Sequence, residues 1–201
     1  YGWHCKYAAE HGADFVLGTD ISHKMLEVAG QRNSDQRIEY RHAAIEDLDF
    51  EEGAFDIVLS SLAFHYVRDF GTLVKRIALW LKKDGKFVFS VEHPVFTSYG
   101  TQDWYYDENG NILHFPVDNY YYEGKREAVF LGEKVIKYHR TLTTYLNTLL
   151  QNGFILQHII EPQPPKNMMH MDGMKDEMRR PMMLLVSARK KRIGDMESQR
   201  M

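Results

Sequence analysis

Short apolar runs rich in β-branched and aromatic residues alternate along this chain with stretches of helical periodicity. That alternation is the signature of βα units wound onto a mostly parallel sheet. The clearest run is 54–61 (AFDIVLSS), followed by a helical stretch over 69–81 with Leu73, Ile77 and Trp80 on one face. Asp84-Gly85 then turns the chain into a Phe- and Val-rich strand over 86–92. Upstream, 3–11 reads as a helix ending at Gly12 and 15–19 as a short buried strand. Ser22 is placed to cap a helix reaching Arg32, with Lys24, Met25 and Leu26 in its first turn, and 38–44 alternates partially, as a strand does. Downstream, an amphipathic helix over 140–151 closes at Gly153, and 155–161 and 183–188 supply two last strands. The expected architecture is therefore an α/β sheet with helices on both faces and a C-terminal antiparallel strand.

Two segments break the pattern. Residues 94–138 show no clear helix but are dense in aromatics: Phe96, Tyr99, Trp104, Tyr105, Tyr106, Phe115, Tyr120, Tyr121, Tyr122 and Phe130. Asn109-Gly110 and Leu131-Gly132 have turn chemistry, so β-hairpins are expected there. Residues 162–181 open with Pro162, Pro164 and Pro165 and carry Met168, Met169, Met171, Met174 and Met178, a set suited to an adaptable apolar surface or a mobile loop.

A chain of 201 residues suits one domain with an insertion, and 44% hydrophobic residues suffice for a core. The net charge of -3, with Lys and Arg scattered, argues against a nucleic-acid partner, which would select a basic face. The one basic run, Arg189–Arg192, reads as a solvated tail. A single cysteine, Cys5, leaves no disulfide framework and no Cys-based zinc site, and reads as a small helix residue. No metal set is expected. No apolar stretch approaches the roughly 20 residues of a membrane span, and no signal peptide is visible, so a reducing, cytoplasmic setting is expected.

Ligands of open α/β sheets bind outside the carboxyl ends of the strands. Gly2 stands just before a helix and Asp20 ends the following strand. A glycine there admits a ligand close to backbone, and the carboxylate can accept both hydroxyls of a ribose. This pair alone would equally suit a dinucleotide dehydrogenase. Four ordered segments go further: GWHCKYAAEHGADFVLGTDISHKMLEVA, AAIEDLDF, GAFDIVLSSLAFHYVRDF and LVKRIALWLKKDGKFVFSVEHP. In order and spacing over 2–93 they resemble the class I S-adenosylmethionine (SAM)-dependent methyltransferases of type 11, the ubiquinone/menaquinone-methyltransferase-like family.

The resemblance implies a Rossmann-like fold, SAM as cofactor and a set of roles. Gly2 would be the last glycine of the SAM loop, with Trp3 beside the methionine moiety. Asp20 would bind the ribose, flanked by Ile21 and Met25. Ala44, Ile45 and Glu46 would form the adenine edge, and Ser61, Leu62 and His65 would face the methionine part of SAM. The family's usual Asp near position 44 is here Ala44, so its hydrogen bond is lost or taken over by Glu46. The family's first strand and the start of its glycine loop should precede residue 1, which predicts an upstream segment of roughly 40 residues. The implied division is 1–93 for SAM binding, 94–138 as an aromatic β insertion or substrate lid, 139–192 as the C-terminal helix and strand pair of the same domain, and 193–201 as a polar tail.

Methyl transfer needs alignment and, where the nucleophile carries a proton, a base. His65 and His93 follow two strands and are the base candidates, since histidine titrates near neutrality; Glu92 could orient His93. His139 and Arg140, at the start of the helix after the insertion, could bind an anionic group. With Tyr66 and Tyr122 they make the expected acceptor-side set, and closing the aromatic insertion would exclude water. The sequence lacks an Asn-Pro-Pro-Tyr motif, a nucleophilic cysteine and a catechol-type metal set, so a small organic acceptor methylated on O, N or C is expected. The alternatives are an RNA methyltransferase and a non-catalytic member of the fold.

Overall fold

A computed structural model of the protein describes residues 1–130 and 132–192. The turn expected at Leu131-Gly132 and the tail at 193–201 lie at or beyond the edges of the described residues. The chain forms two compact units, Tyr1–Asp49 and Phe50–Met201.

The first unit contains α1 (Trp3–Glu10), β1 (Val16–Asp20), α2 (His23–Arg32), β2 (Ile38–His42) and a 3-10 turn at Ile45–Asp47. β1 and β2 pair in parallel, from Val16 opposite Ile38 to Asp20 opposite His42. Ser22 caps α2 as expected, its Oγ accepting from Met25 N at 3.3 Å. Gly18 on β1 is buried because nothing larger fits: a Cβ there would lie 2.8 Å from Cys5 Sγ and 2.9 Å from the Tyr40 ring. Cys5 is thus a packing residue of α1.

The second unit is built on β3 (Phe55–Ser61), α3 (Phe70–Trp80) and β4 (Leu81–Glu92). β3 and β4 run parallel, and β10 (Met183–Lys190) lies antiparallel between β4 and β9 (Phe154–Ile160). Among the described residues β3 pairs with β4 alone, and its Ile57 and Leu59 are exposed. Asp69 caps α3, accepting from Thr72 N at 2.9 Å, and Leu73, Val74, Ile77 and Trp80 face inward. The expected turn at Asp84-Gly85 is absorbed into β4. Phe55 pairs with Leu81 but Ile57 with Lys86, so 82–85 bulge out around Asp84 at φ 64°. The core is aromatic: Phe64, Phe70, Phe87, Phe89, Tyr145 and Phe154 interlock at centroid distances such as 5.0 Å for Phe70–Tyr145 and 5.6 Å for Phe87–Phe154.

The insertion departs from expectation in one respect. It opens with a short helix, α4 (Pro94–Ser98), with Pro94 in the first turn, where its missing N–H costs nothing. Two hairpins follow as expected, β5 (Tyr105–Tyr106) with β6 (Ile112–His114), and β7 (Gly124–Phe130) with β8 (Glu133–His139). The hairpin runs on to His139, so the next helix, α5 (Leu142–Gln151), starts later than its amphipathic pattern suggests. Its cap is Thr141, whose side chain accepts from Thr144 N. The methionine-rich connection folds into a 3-10 turn at Lys166–Met168 and α6 (Met174–Glu177), leaving Met171 and Met178 exposed. The basic run is not a free tail: Arg189 lies on β10, and both Arg189 and Arg192 pair with Asp84. Among the described residues no helix is long and apolar enough to cross a membrane.

Candidate active site

In the first unit the residues expected at the cofactor gather around the carboxyl ends of β1 and β2 and the start of α1. Gly2 adopts φ 75°, and a Cβ would collide with Tyr40 Oη and lie 2.9 Å from Ala29 Cβ. Only glycine fits there. Trp3 is exposed and lies ring to ring with His4 at 3.8 Å. Asp20 Oδ1 accepts from Ser22 N at 2.8 Å, which fixes the carboxylate and leaves Oδ2 without a partner among the described residues. Beside it Ile21 is 70% exposed and Met25 is at the surface, two apolar side chains held out in water. Ile21 is held by its carbonyl, which meets His42 Nε2 at 2.8 Å, and His42 in turn stacks on His23 at 3.6 Å. Ala44 and Ile45 are half-buried at the 3-10 turn, and Glu46 is exposed there. A carboxylate with an open oxygen, flanked by exposed apolar side chains, fits a nucleoside: hydroxyls for Asp20, apolar faces for Ile21 and Met25.

In the second unit the segment after β3 is strained. Ser61 ends the strand and Leu62 takes φ 52°, unusual for a branched side chain, while its N–H donates to Ser90 O at 2.9 Å. The Phe64–Tyr66 3-10 turn buries His65. Burial pushes its imidazole down to about 4, against the opposing pull of Glu92 and with Lys137 and Arg140 adding to the depression. His65 Nδ1 accepts from Glu92 N at 3.3 Å, which fixes the proton on Nε2. His93 is locked in the same sense. Its Nδ1 accepts from Val95 N at 3.1 Å to cap α4, and its Nε2 lies 2.9 Å from Glu161 Oε1. Burial lowers its pKa, with Glu161 opposing. In both imidazoles Nδ1 is engaged as an acceptor, so neither presents a free lone pair to take up a proton; His93 Nε2 stands near Glu161 without hydrogen-bond geometry. The partner of His93 is Glu161, not the expected Glu92.

Glu92 has other partners, none of which the sequence pattern marked. Its Oε1 accepts from Lys137 Nζ at 2.6 Å and its Oε2 from Gln102 Nε2 at 2.7 Å, and Lys137 also donates to Gln102 Oε1 at 2.7 Å. Lys137 is 2% exposed and its ammonium lies 6.0 Å from the centre of the Tyr66 ring. His139, also buried, bonds Thr97 Oγ1 at 2.8 Å and Tyr120 O at 2.9 Å, and burial lowers its pKa. Arg140 donates to the carbonyls of Val67 (2.5 Å), Arg68 (2.9 Å), Tyr138 (3.3 Å) and Phe64 (3.4 Å). Its guanidinium is occupied by backbone, not held open for an anion. Tyr122 stands in the loop before β7 with its side chain exposed and its carbonyl accepting from Arg126, while the Tyr66 ring adjoins Lys137. The backbone outliers Leu62 and Gln102 (φ 55°) coincide with this region and have no sequence signal.

Comparison with known proteins bears on the whole chain. Residues 1–89 match the family model for a methyltransferase domain. A Listeria monocytogenes protein assigned to the SAM-dependent methyltransferases superposes with a TM-score of 0.92 at 53% identity, over 95% of this chain and 86% of its own. A SAM-dependent methyltransferase from Mesorhizobium loti gives a TM-score of 0.85 at 40% identity, over 94% of this chain and 86% of its own. An uncharacterized Haemophilus influenzae protein is 34% identical over 198 residues, 94% of this chain and 77% of that one.

Proposed function

The chain belongs to the SAM-dependent methyltransferases, and from that premise we propose that it methylates an O, N or C nucleophile of a small organic acceptor held beneath the aromatic insertion. SAM supplies an activated methyl group as a sulfonium, so the protein's own work is to align the two substrates and manage a proton. Residues 1–93 are assigned to the cofactor, 94–138 to the acceptor lid and 139–192 to completing the sheet. The cytoplasmic setting expected from the lone cysteine belongs to the same reading.

Asp20 is the observation that carries the cofactor side. One oxygen is anchored by Ser22 N and the other is open, the state of a carboxylate waiting for a diol. In this reading Gly2 and Trp3 take the methionine end, Ile21 and Met25 the ribose and adenine, and Ala44, Ile45 and Glu46 the adenine edge. Ser61, Leu62 and His65 are assigned to the methionine part of SAM, with His65 as a donor. Tyr66 is the acceptor-side aromatic, and Arg140 holds the turn that carries it. Calorimetric titration with S-adenosylhomocysteine (SAH) tests this: the protein binds SAH, and Asp20→Ala weakens binding at least about tenfold, the size of a lost charge-assisted hydrogen-bond pair. Absence of SAH binding by the wild-type protein refutes it.

A further inference from the structure

A buried ion pair is often no more stabilising than apolar side chains of the same volume. The Glu92–Lys137 pair, at the carboxyl end of a parallel strand where ligands of such sheets bind, therefore calls for a chemical reason. Three observations narrow it. Each carboxylate oxygen of Glu92 accepts one hydrogen bond, from Lys137 and from Gln102, and so keeps a lone pair; the side chain is 13% exposed and reaches the surface. Gln102 is held at φ 55°, a conformation costing on the order of 1 kcal/mol, by side-chain bonds to the same two residues. The imidazole of His65, which accepts from Glu92 N through Nδ1, has no free lone pair, whereas the Glu92 carboxylate beside it has lone pairs to offer.

We infer that Glu92 takes the proton of the acceptor's nucleophile, that the acceptor is a neutral aromatic hydroxyl or N–H compound, and that Lys137 and Gln102 position the carboxylate. The inference rests on the methyltransferase reading above. An anionic acceptor is repelled by Glu92 and a cationic one by Lys137. A neutral O–H or N–H group donates to the one and accepts from the other. The half-exposed ring of Tyr66, already beside the Lys137 ammonium, offers an aromatic face. The balance closes: the acceptor heteroatom gains a bond to the methyl carbon and loses its proton to Glu92, while sulfur keeps the electron pair of the broken S–C bond. A carboxylate and a sulfonium give a carboxylic acid and a neutral thioether.

The test uses binding, because the natural acceptor is unidentified. The SAH-loaded protein is titrated with phenol, benzoate and benzylammonium by ligand-observed NMR. Phenol binds at least about tenfold more tightly than either ion. The double variant Glu92→Gln/Lys137→Met removes both charges and leaves no unpaired one buried. It binds SAH like the wild type and phenol about tenfold more weakly. Lys137→Met alone weakens phenol without altering SAH affinity, a split that a purely structural lysine would not give. Phenol binding unchanged in the double variant, preference for either ion, or binding of none of the three overturns the inference while SAH binding stands. Loss of SAH binding by the wild type overturns the methyltransferase reading first, and this one with it.

Discussion

Arg140 discriminates between two uses of a buried cation. Its side chain is nearly inaccessible, and its guanidinium donates to four backbone carbonyls, two of them at 2.5 and 2.9 Å. It also lies 5.5 Å from the Phe70 ring centre and 5.9 Å from that of Tyr145. The two short bonds, each involving a charged donor, contribute about 1.5–3 kcal/mol apiece, and the longer pair little. The aromatic contacts add roughly 0.5–1 kcal/mol each. Truncation to alanine strands the buried Val67 carbonyl and removes the donor of the part-buried Arg68 carbonyl, so Arg140→Ala is expected to cost about 4–6 kcal/mol. For a domain of this size that lowers Tm by on the order of 10–20 °C. Urea denaturation should show a reduced midpoint at unchanged m. Arg140→Lys recovers less than half of the loss, because one ammonium cannot serve a planar fork's worth of acceptors. An arginine kept for an acceptor anion behaves oppositely, since removing a buried functional charge leaves stability unchanged or raised. Arg140→Ala within about 1 kcal/mol of wild type would refute the clasp.

Two further outcomes follow from the geometry. His65 is held neutral in the folded protein, with its pKa moved from 6.5 down to about 4. Below pH 6.5 the unfolded chain takes up a proton that the folded one refuses, so stability is full above pH 6.5 and drains away as pH falls towards 4. The loss is up to about 3 kcal/mol, and the downward shifts of His93 and His139 act in the same sense. Urea midpoints measured from pH 7.5 to 4.5 should fall accordingly and fall less in His65→Asn; equal slopes for the two proteins would disprove it. Gly2→Ala forces a Cβ into Tyr40 at a left-handed backbone position, and is expected to cost about 1–3 kcal/mol and to weaken SAH binding. A fully stable Gly2→Ala protein with wild-type SAH affinity would show that the close approach is not needed.

The elements that carry the expected cofactor residues were legible because their physics is local. β3 and α3 announce themselves by apolar periodicity. The Asp20–Ser22 turn and the cap of α2 depend on residues two and three positions apart. The buried polar cluster around Glu92 was not legible, for the opposite reason. Glu92 finds Gln102 ten positions on and Lys137 forty-five positions on, and no window of sequence holds both. His93 adjoins Glu92 in sequence but its carboxylate partner is Glu161, on the segment after β9.

β8 shows how the pattern misleads and why that carries information. Along EKVIKYH the side chains turned into the protein include Lys137 and His139, while Ile136 is half exposed. The usual alternation of apolar inside and polar outside is inverted, so the strand does not read as one and His139 reads as the beginning of a helix. A strand can afford that inversion only where buried polar groups are matched by partners, and each is: Lys137 by Glu92 and Gln102, His139 by Thr97 and Tyr120. Polar residues on the inner face of a strand are retained against the cheaper apolar choice when chemistry needs them. The stretch that sequence patterning misread is therefore the one the proposal for Glu92 and Lys137 rests on. An apolar β8, with Lys137→Met and His139→Leu together, should fold at least as stably once Glu92 is also made Gln, and should lose the acceptor while keeping SAH. A variant that kept both ligands would show that the inversion serves only the fold.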